Sequence, residues 1–93
     1  RWGNCAVVLK GHQTLIGRAT GPVYVNDTGN PGLAQGGSGD VLAGYIAGLL
    51  AQSAHRADPM TAIRYAVRRH GATADALDAK GTSWTIEDLV QQL

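Results

Sequence analysis

Cysteine is nearly absent. Cys5 stands alone among 93 residues, so no internal disulfide can form, and a reducing compartment, the cytoplasm, is expected. Histidine is sparse as well. His12, His55 and His70 lie far apart, and without a second cysteine no structural zinc site is expected; no residue is assigned as a metal ligand. Neither sign of charge dominates: 8 Lys and Arg stand against 7 Asp and Glu, a net +1, which argues against a dedicated nucleic-acid binder. The one basic cluster, Arg64, Arg68 and Arg69, reads as a solvated helix face. The apolar run from Val41 to Ala51 is far too short for a bilayer, so no membrane partner is expected, and the first residues show no leader pattern. Repeats and low-complexity stretches are lacking. The length allows one domain at most, and 44% hydrophobic residues suffice for a small core.

What the chain does have is a glycine-rich stretch, Asn30-Pro31-Gly32-Leu33-Ala34-Gln35-Gly36-Gly37-Ser38-Gly39-Asp40, running into Val41-Leu42-Ala43-Gly44. It opens a helix and sets one carboxylate at the helix mouth. Such a mouth carries free backbone N–H groups and the positive end of the helix dipole, which together bind anions and phosphate above all. Glycines let the backbone approach a phosphate closely. Asp40 is out of character there, because a carboxylate repels bound phosphate. The commoner explanation is that Ser38 or Asp40 caps the helix. The sharper one is a base that takes a proton from a hydroxyl as phosphate moves onto it.

Two familiar phosphate loops are excluded. A P-loop ends in Gly-Lys-Ser/Thr, and here Gly39 is followed by Asp40. The dinucleotide fingerprint needs a small residue three positions after its second glycine; counted from Gly37 and Gly39, that position is Leu42.

The apolar segment Cys5 to Leu9 reads as a strand, and a fully apolar strand expects cover on both faces, as in a parallel sheet. Thr14 to Ile16 and Val23 to Val25 read as two further strands, joined as a hairpin through the turn-rich residues 17–22. A helix is predicted from about Ser38 to Ser53. Val41, Leu42, Tyr45, Ile46, Leu49 and Leu50 form its large apolar face; Ala43, Gly44, Ala47, Gly48 and Ala51 form a small-residue face expected to pack closely on a neighbour. Asp58-Pro59 opens a second helix, with Ile63, Ala66, Val67, His70, Ala74 and Leu77 facing inward and Gly81 just past its end. His70 reads as a core-edge residue, His12 and His55 as exposed loop residues. A short last helix follows from Thr85 to Gln92, capped by Thr85. The abrupt apolar start suggests a single partial domain over 1–93, the C-terminal part of a larger α/β domain. The first strand and the large helix face then lack cover within one chain, so a homo-oligomer is expected.

The Asn30 to Gly44 segment resembles the ADP- or ATP-dependent NAD(P)H-hydrate dehydratases, a branch of the ribokinase-like superfamily. Val7-Val8-Leu9-Lys10-Gly11-His12-Gln13-Thr14 is similar to that family's Val-Leu-Lys-Gly-x-x-Thr strand and turn. His70-Gly71-Ala72-Thr73-Ala74-Asp75 resembles its second C-terminal helix, and Glu87-Asp88-Leu89 its closing helix. The resemblance covers nearly the whole chain but only the C-terminal part of the family's domain. It implies the C-terminal portion of a ribokinase-like fold: a few strands including a hairpin, two long helices and a short last one. It implies repair of hydrated NADH or NADPH, in which a nucleotide phosphorylates the hydrate's hydroxyl, phosphate leaves and the ring double bond returns. ADP is favoured over ATP from the bacterial style of the Asn-Pro-Gly lead-in, and Mg²⁺ is expected to accompany the nucleotide.

By the same resemblance Asp40 faces the hydrated substrate and accepts its hydroxyl proton. Lys10, Gly11, His12, Gln13 and Thr14 form a first nucleotide-contacting segment. Asn30, Pro31, Gly32, Leu33, Ala34, Gln35, Gly36, Gly37, Ser38 and Gly39 form the second. Taken alone, Lys10 would be a solvated strand end and Thr14 an ordinary strand residue. Some positions depart from the family pattern: Leu33 where Met is common, Gln35 where Thr or Ser is common, and Ser83-Trp84 where small or aliphatic residues are usual, the Trp reading as packing. The family's N-terminal pocket-forming segments have no counterpart here. A sugar or vitamin-precursor kinase of the same superfamily, and a non-catalytic fragment that binds nucleotide or is inert, stand as alternatives.

Overall fold

The structure, a computed structural model, describes all residues except 1–5, 11–12, 19–20, 53, 55–57 and 82. Three short strands come first: β1 (Val7–Leu9), β2 (Leu15–Gly17) and β3 (Tyr24–Val25). They form one antiparallel sheet in chain order, with Val8 opposite Ile16 and Ile16 opposite Tyr24. Alternation decides which face is buried. Ile16 is enclosed, and Val8 and Tyr24 pack with it, while Val7, Leu9 and Val25 point outward and are exposed. Among the described residues the first strand is thus covered on one face only, the lack of cover within one chain that its apolar sequence led us to expect. Each strand follows the last through a short connection, so they pair as a meander, and an antiparallel meander can leave one face open. The observed strands also start later than expected; Cys5 lies outside the described residues.

Helix α1 (Ser38–Leu50) ends three residues short of the expected Ser53. Leu42, Ile46 and Leu50 turn toward Ile16, Ile63 and Val67 and close the first core cluster. Part of the large apolar face thus finds cover within the chain, whereas Tyr45 and Leu49 stay half-exposed outside both core clusters. The small-residue face finds none: Ala43, Gly44, Ala47, Gly48 and Ala51 are exposed, and a Cβ added at Gly44 or Gly48 would meet nothing within 4 Å. The close packing expected there is not made by this chain.

Helix α2 (Pro59–Asp78) starts as the Asp58-Pro59 pair predicts. The Asp58 carboxylate accepts from the Thr61 N–H at 3.3 Å and from its hydroxyl at 2.7 Å. All six inner-face residues named from the sequence are buried. The chain leaves the helix through Gly81 at φ +76°. Helix α3 (Ile86–Gln92) carries a reciprocal cap: the Thr85 N–H donates to the Asp88 carboxylate at 2.8 Å and the Asp88 N–H to the Thr85 hydroxyl at 3.3 Å. Its Leu89 is fully enclosed with Ala74 and Leu77, and Trp84, Leu33 and Val41 pack on that second cluster. Arg64 lies 3.7 Å above the Tyr24 ring and Arg68 pairs with Asp27 at 3.4 Å. Both charges of the latter pair are exposed, so it contributes little stability.

Candidate functional site

The loop from Asn26 to Gly37 is braced from both sides before it delivers the chain to α1. The Asn26 amide donates to the Thr28 carbonyl at 3.1 Å, and the Thr28 hydroxyl donates to the Arg68 carbonyl on α2 at 3.0 Å. Gly29, at φ +109°, turns the chain so that its N–H reaches the Asp75 carboxylate at 3.0 Å. Asn30 caps a 3-10 turn over Pro31–Ala34, its side-chain oxygen accepting the Gly32 N–H at 2.8 Å. The Gln35 amide bridges the Gly32 carbonyl at 2.9 Å and the Trp84 carbonyl at 3.1 Å. Gly32 passes so close under the Trp84 ring that a Cβ would lie 2.6 Å from it.

Gly37, at φ +92°, is the N-cap of α1, and no side chain caps that helix. Neither Ser38 nor Asp40 fulfils the capping role weighed above; they occupy the first and third helical positions. The Ser38 N–H makes a long 3.3 Å bond to the Gln35 carbonyl, and the N–H groups of Gly39 and Asp40 find no acceptor among the described residues. The positive end of the dipole and its free donors are therefore left open, the condition for anion binding. The Lys10 ammonium lies across this mouth, 3.4 Å from the Gly39 carbonyl.

Beside the mouth lies a cavity of about 440 Å³, within the range of small-ligand pockets. Lys10, Gln13 and Thr14 wall it from the sheet; Asn26, Asp27, Thr28, Gly29, Asn30, Pro31, Leu33 and Ala34 from the loop. Ser38, Gly39 and Leu42 wall it from α1, and Val67, His70 and Gly71 from α2. Gln13 adopts a positive φ of 56°, a conformation that non-glycine residues hold only when their surroundings impose it.

Of the residues singled out from the sequence, Lys10, Gln13, Thr14, Asn30, Pro31, Leu33, Ala34, Ser38 and Gly39 come together around this cavity. Gly32 and Gln35 lie behind it as braces, and Gly36 and Gly37 form the exposed turn into the helix. Asp40 is exposed, just outside the wall, and its side chain makes no hydrogen bond among the described residues. Gly11 and His12 lie outside the described residues. Sequence reasoning gave no site role to Asn26 to Gly29, Gly71 or Asp75. A glycine in mid-helix was the available signal for Gly71, since it costs helix stability unless a close approach needs it.

His70 is buried in the wall, and its Nε2 has no hydrogen-bond partner among the described residues. Burial pushes its pKa below the ordinary 6.5; the Ser38 carbonyl opposes this, and the nearby Lys10 charge adds to it. The unfolded chain then binds more protons than the folded one just below pH 6.5, so stability falls as pH drops through that window. The melting temperature is expected to decline on acidification there, and His70→Gln to flatten the decline. An unchanged slope in the variant would show that other groups carry it.

Divalent metal is not provided for by carboxylate clusters: among the described residues no group of three His, Cys, Asp or Glu is placed to hold an ion. Such a donor set fits Mg²⁺ only where the ion arrives on phosphates. No described helix is long and apolar enough to cross a membrane.

An antiparallel sheet and two helices converge on an open helix mouth, with a lysine across it and a cavity beside it, an α/β arrangement whose free N–H groups can hold an anion. The chain belongs to the NAD(P)H-hydrate dehydratase family, whose pattern it matches over residues 2–93. It is 48% identical over 71 residues to the ADP-dependent (S)-NAD(P)H-hydrate dehydratase of Neisseria meningitidis, covering 76% of this chain and 23% of that protein. It is 46% identical over 76 residues to the bifunctional NAD(P)H-hydrate repair enzyme Nnr of Gloeobacter violaceus, covering 82% of this chain and 14% of that protein. A crystal structure of the ADP/ATP-dependent NAD(P)H-hydrate dehydratase from Bacillus subtilis, co-crystallized with ATP/Mg²⁺, superposes with a TM-score of 0.82. Its sequence is 37% identical, and the match covers 94% of this chain and 31% of that one. The chain thus spans under a third of the solved relative and less than a quarter of these two curated ones.

Proposed function

We propose that this chain is the C-terminal, phosphate-handling part of a cytoplasmic enzyme that uses ADP, or ATP, to dehydrate hydrated NADH and NADPH. The observation that carries the proposal is the uncapped mouth of α1, with the Lys10 ammonium across it and the unpaired Asp40 carboxylate at its rim. The cavity suits the nucleotide and the free N–H groups suit its terminal phosphate, which brings Mg²⁺ with it. Because Asp40 stands outside the cavity wall, it is free to face a second substrate. The hydrate's hydroxyl oxygen attacks the terminal phosphorus as Asp40 takes the hydroxyl proton, and the bond from phosphorus to the departing AMP (or ADP) breaks. The carbon–oxygen bond then breaks, phosphate departs, a neighbouring proton is lost and the ring double bond returns. The amides of the glycine turn stabilise charge on the phosphoryl group in flight.

The remainder of the parent domain, or a second copy of this chain, would cover the outward residues Val7, Leu9 and Val25 and the small-residue face of α1. The test is turnover by the parent enzyme supplied with hydrated NADPH, ADP and Mg²⁺. Restored NADPH is expected in step with AMP and free phosphate. A phosphorylated alcohol that accumulates without phosphate release would instead favour a kinase of the same superfamily. Absence of turnover and of calorimetric heat with ADP or AMP would favour an inert fragment.

A further inference from the structure

We propose that Asp75 is a positioning residue for the phosphate-binding turn: it holds Asn30, and through Asn30 the Gly32 amide, in the phase that leaves the α1 mouth open. The inference rests on the nucleotide reading above. Asp75 lies on the fifth turn of α2, outside the cavity wall. One carboxylate oxygen accepts the Gly29 N–H at 3.0 Å and the other accepts the Asn30 side-chain amide at 3.0 Å. Those bonds orient the Asn30 amide plane, and its remaining oxygen accepts the Gly32 N–H at 2.8 Å. The polar chain therefore runs from a rigid helix, through one side chain, into the backbone of the loop.

The orientation is set by chemistry and not by shape. A carboxylate only accepts, so it forces the Asn30 nitrogen toward α2 and leaves the Asn30 oxygen for Gly32. An asparagine at position 75 would present an NH₂ group to one of two donors and lose that bond. Charge-assisted bonds of this kind are also the stronger ones. With the clamp released, the Asn30 amide is free to flip, and the Gly32 N–H loses its acceptor. The 3-10 turn that Asn30 caps, and the Gly36-Gly37 turn it feeds, then lose their fixed approach to α1.

Reciprocal exchange tests this directly. In the parent protein Asp75→Asn is expected to raise the ADP dissociation constant about tenfold, the scale of one lost charge-assisted bond, measured well below the melting temperature. Exchange of the Gly29 and Gly32 amides with solvent deuterium should speed up together. The double variant Asn30→Asp with Asp75→Asn recreates the contact with its polarity reversed. The carboxamide now on α2 donates to the carboxylate now on the loop and keeps its own oxygen for the Gly29 N–H. The loop carboxylate still accepts from the Gly32 N–H. This variant is expected to restore ADP affinity to within about threefold and to slow amide exchange again. Wild-type affinity in Asp75→Asn, or loss that the exchange leaves unrepaired, overturns the proposal. If Asp75→Asn fails to fold, a folded, ADP-binding double variant supports the proposal, and an unfolded double variant overturns it. If the wild-type protein binds no ADP, the nucleotide reading fails by itself. The clamp is then judged on amide exchange alone: acceleration in Asp75→Asn with repair in the double variant upholds it, and unchanged exchange overturns it.

Discussion

Asp40→Asn in the parent enzyme is expected to lower kcat by about 10²–10⁴-fold, the usual contribution of a positioned proton acceptor, with ADP affinity unchanged or slightly improved. The residue is exposed and sits at the third position of α1, and its side chain makes no hydrogen bond among the described residues. Asparagine matches it in volume, so no packing is disturbed. It stands outside the cavity wall, so nucleotide contacts survive the change. Removing a negative charge beside a bound phosphate can only relieve repulsion, which sets the sign of the affinity change. A carboxylate in the first turn also favours the helix dipole by roughly 0.3–1 kcal/mol, so a small drop in melting temperature should accompany the loss of rate. Turnover near the wild-type value, with that small drop intact, would reduce Asp40 to a dipole partner and remove the base from the mechanism.

What could be read from the sequence was whatever depends on neighbours in the chain. Asp58-Pro59, the Thr85 cap and Gly81 mark helix ends by local hydrogen bonding and local φ, and each falls where it was placed. The inner face of α2 follows from helical spacing. The strands were less legible. Their positions are right to within a residue or two, and Val7 and Leu9 lack cover as expected for one chain, but apolarity alone did not reveal that the strands pair as an antiparallel meander. The small-residue face of α1 misled for a related reason: small side chains permit close approach but do not supply the neighbour.

The site divides along the same line. The contiguous stretch from Asn30 to Gly39 could be recognised as a glycine-rich turn opening a helix, whereas the residues of α2 that hold it could not. Asp75 meets Asn30 across a separation of 45 residues, and no periodicity predicts such a pairing. Gln35 shows how tertiary contact explains a departure from a family pattern. Its amide reaches past the turn to the Trp84 carbonyl, a bond that the shorter Ser or Thr could not span. Gln35 thus braces the turn to the lead-in of α3 through the Trp84 backbone, while the Trp84 ring closes over Gly32. The choice of N-cap was missed because Gly37 caps through its backbone, at a φ of +92° that side chains rarely tolerate.

Gly71→Ala should be destabilising by about 1–2 kcal/mol, although alanine is the better helix former by roughly 1 kcal/mol. A Cβ at Gly71 would lie 2.7 Å from the Thr28 carbonyl carbon and 2.8 Å from its oxygen. Thr28 cannot retreat cheaply. Its hydroxyl is bonded to the Arg68 carbonyl at 3.0 Å, and Asn26 holds its carbonyl at 3.1 Å. Overpacking against a fixed backbone costs about 1–3 kcal/mol, which exceeds the propensity gain. A fall of roughly 4–8 °C in melting temperature per kcal/mol is the scale for a domain of this size. Because Gly71 and Thr28 both wall the cavity, the displaced loop should also weaken ADP binding about tenfold, the factor that corresponds to ~1.4 kcal/mol. Gly48→Ala is the matched control. Nothing lies within 4 Å of its added Cβ, so in this chain the same substitution should stabilise by up to about 1 kcal/mol. If Gly48→Ala stabilises this chain but destabilises the parent enzyme, the small-residue face of α1 is where the rest of the domain packs. If Gly71→Ala raises stability in both, α2 does not press on the loop at Thr28, and the Asp75 contact with Gly29 and Asn30 has to be judged on its own exchange test.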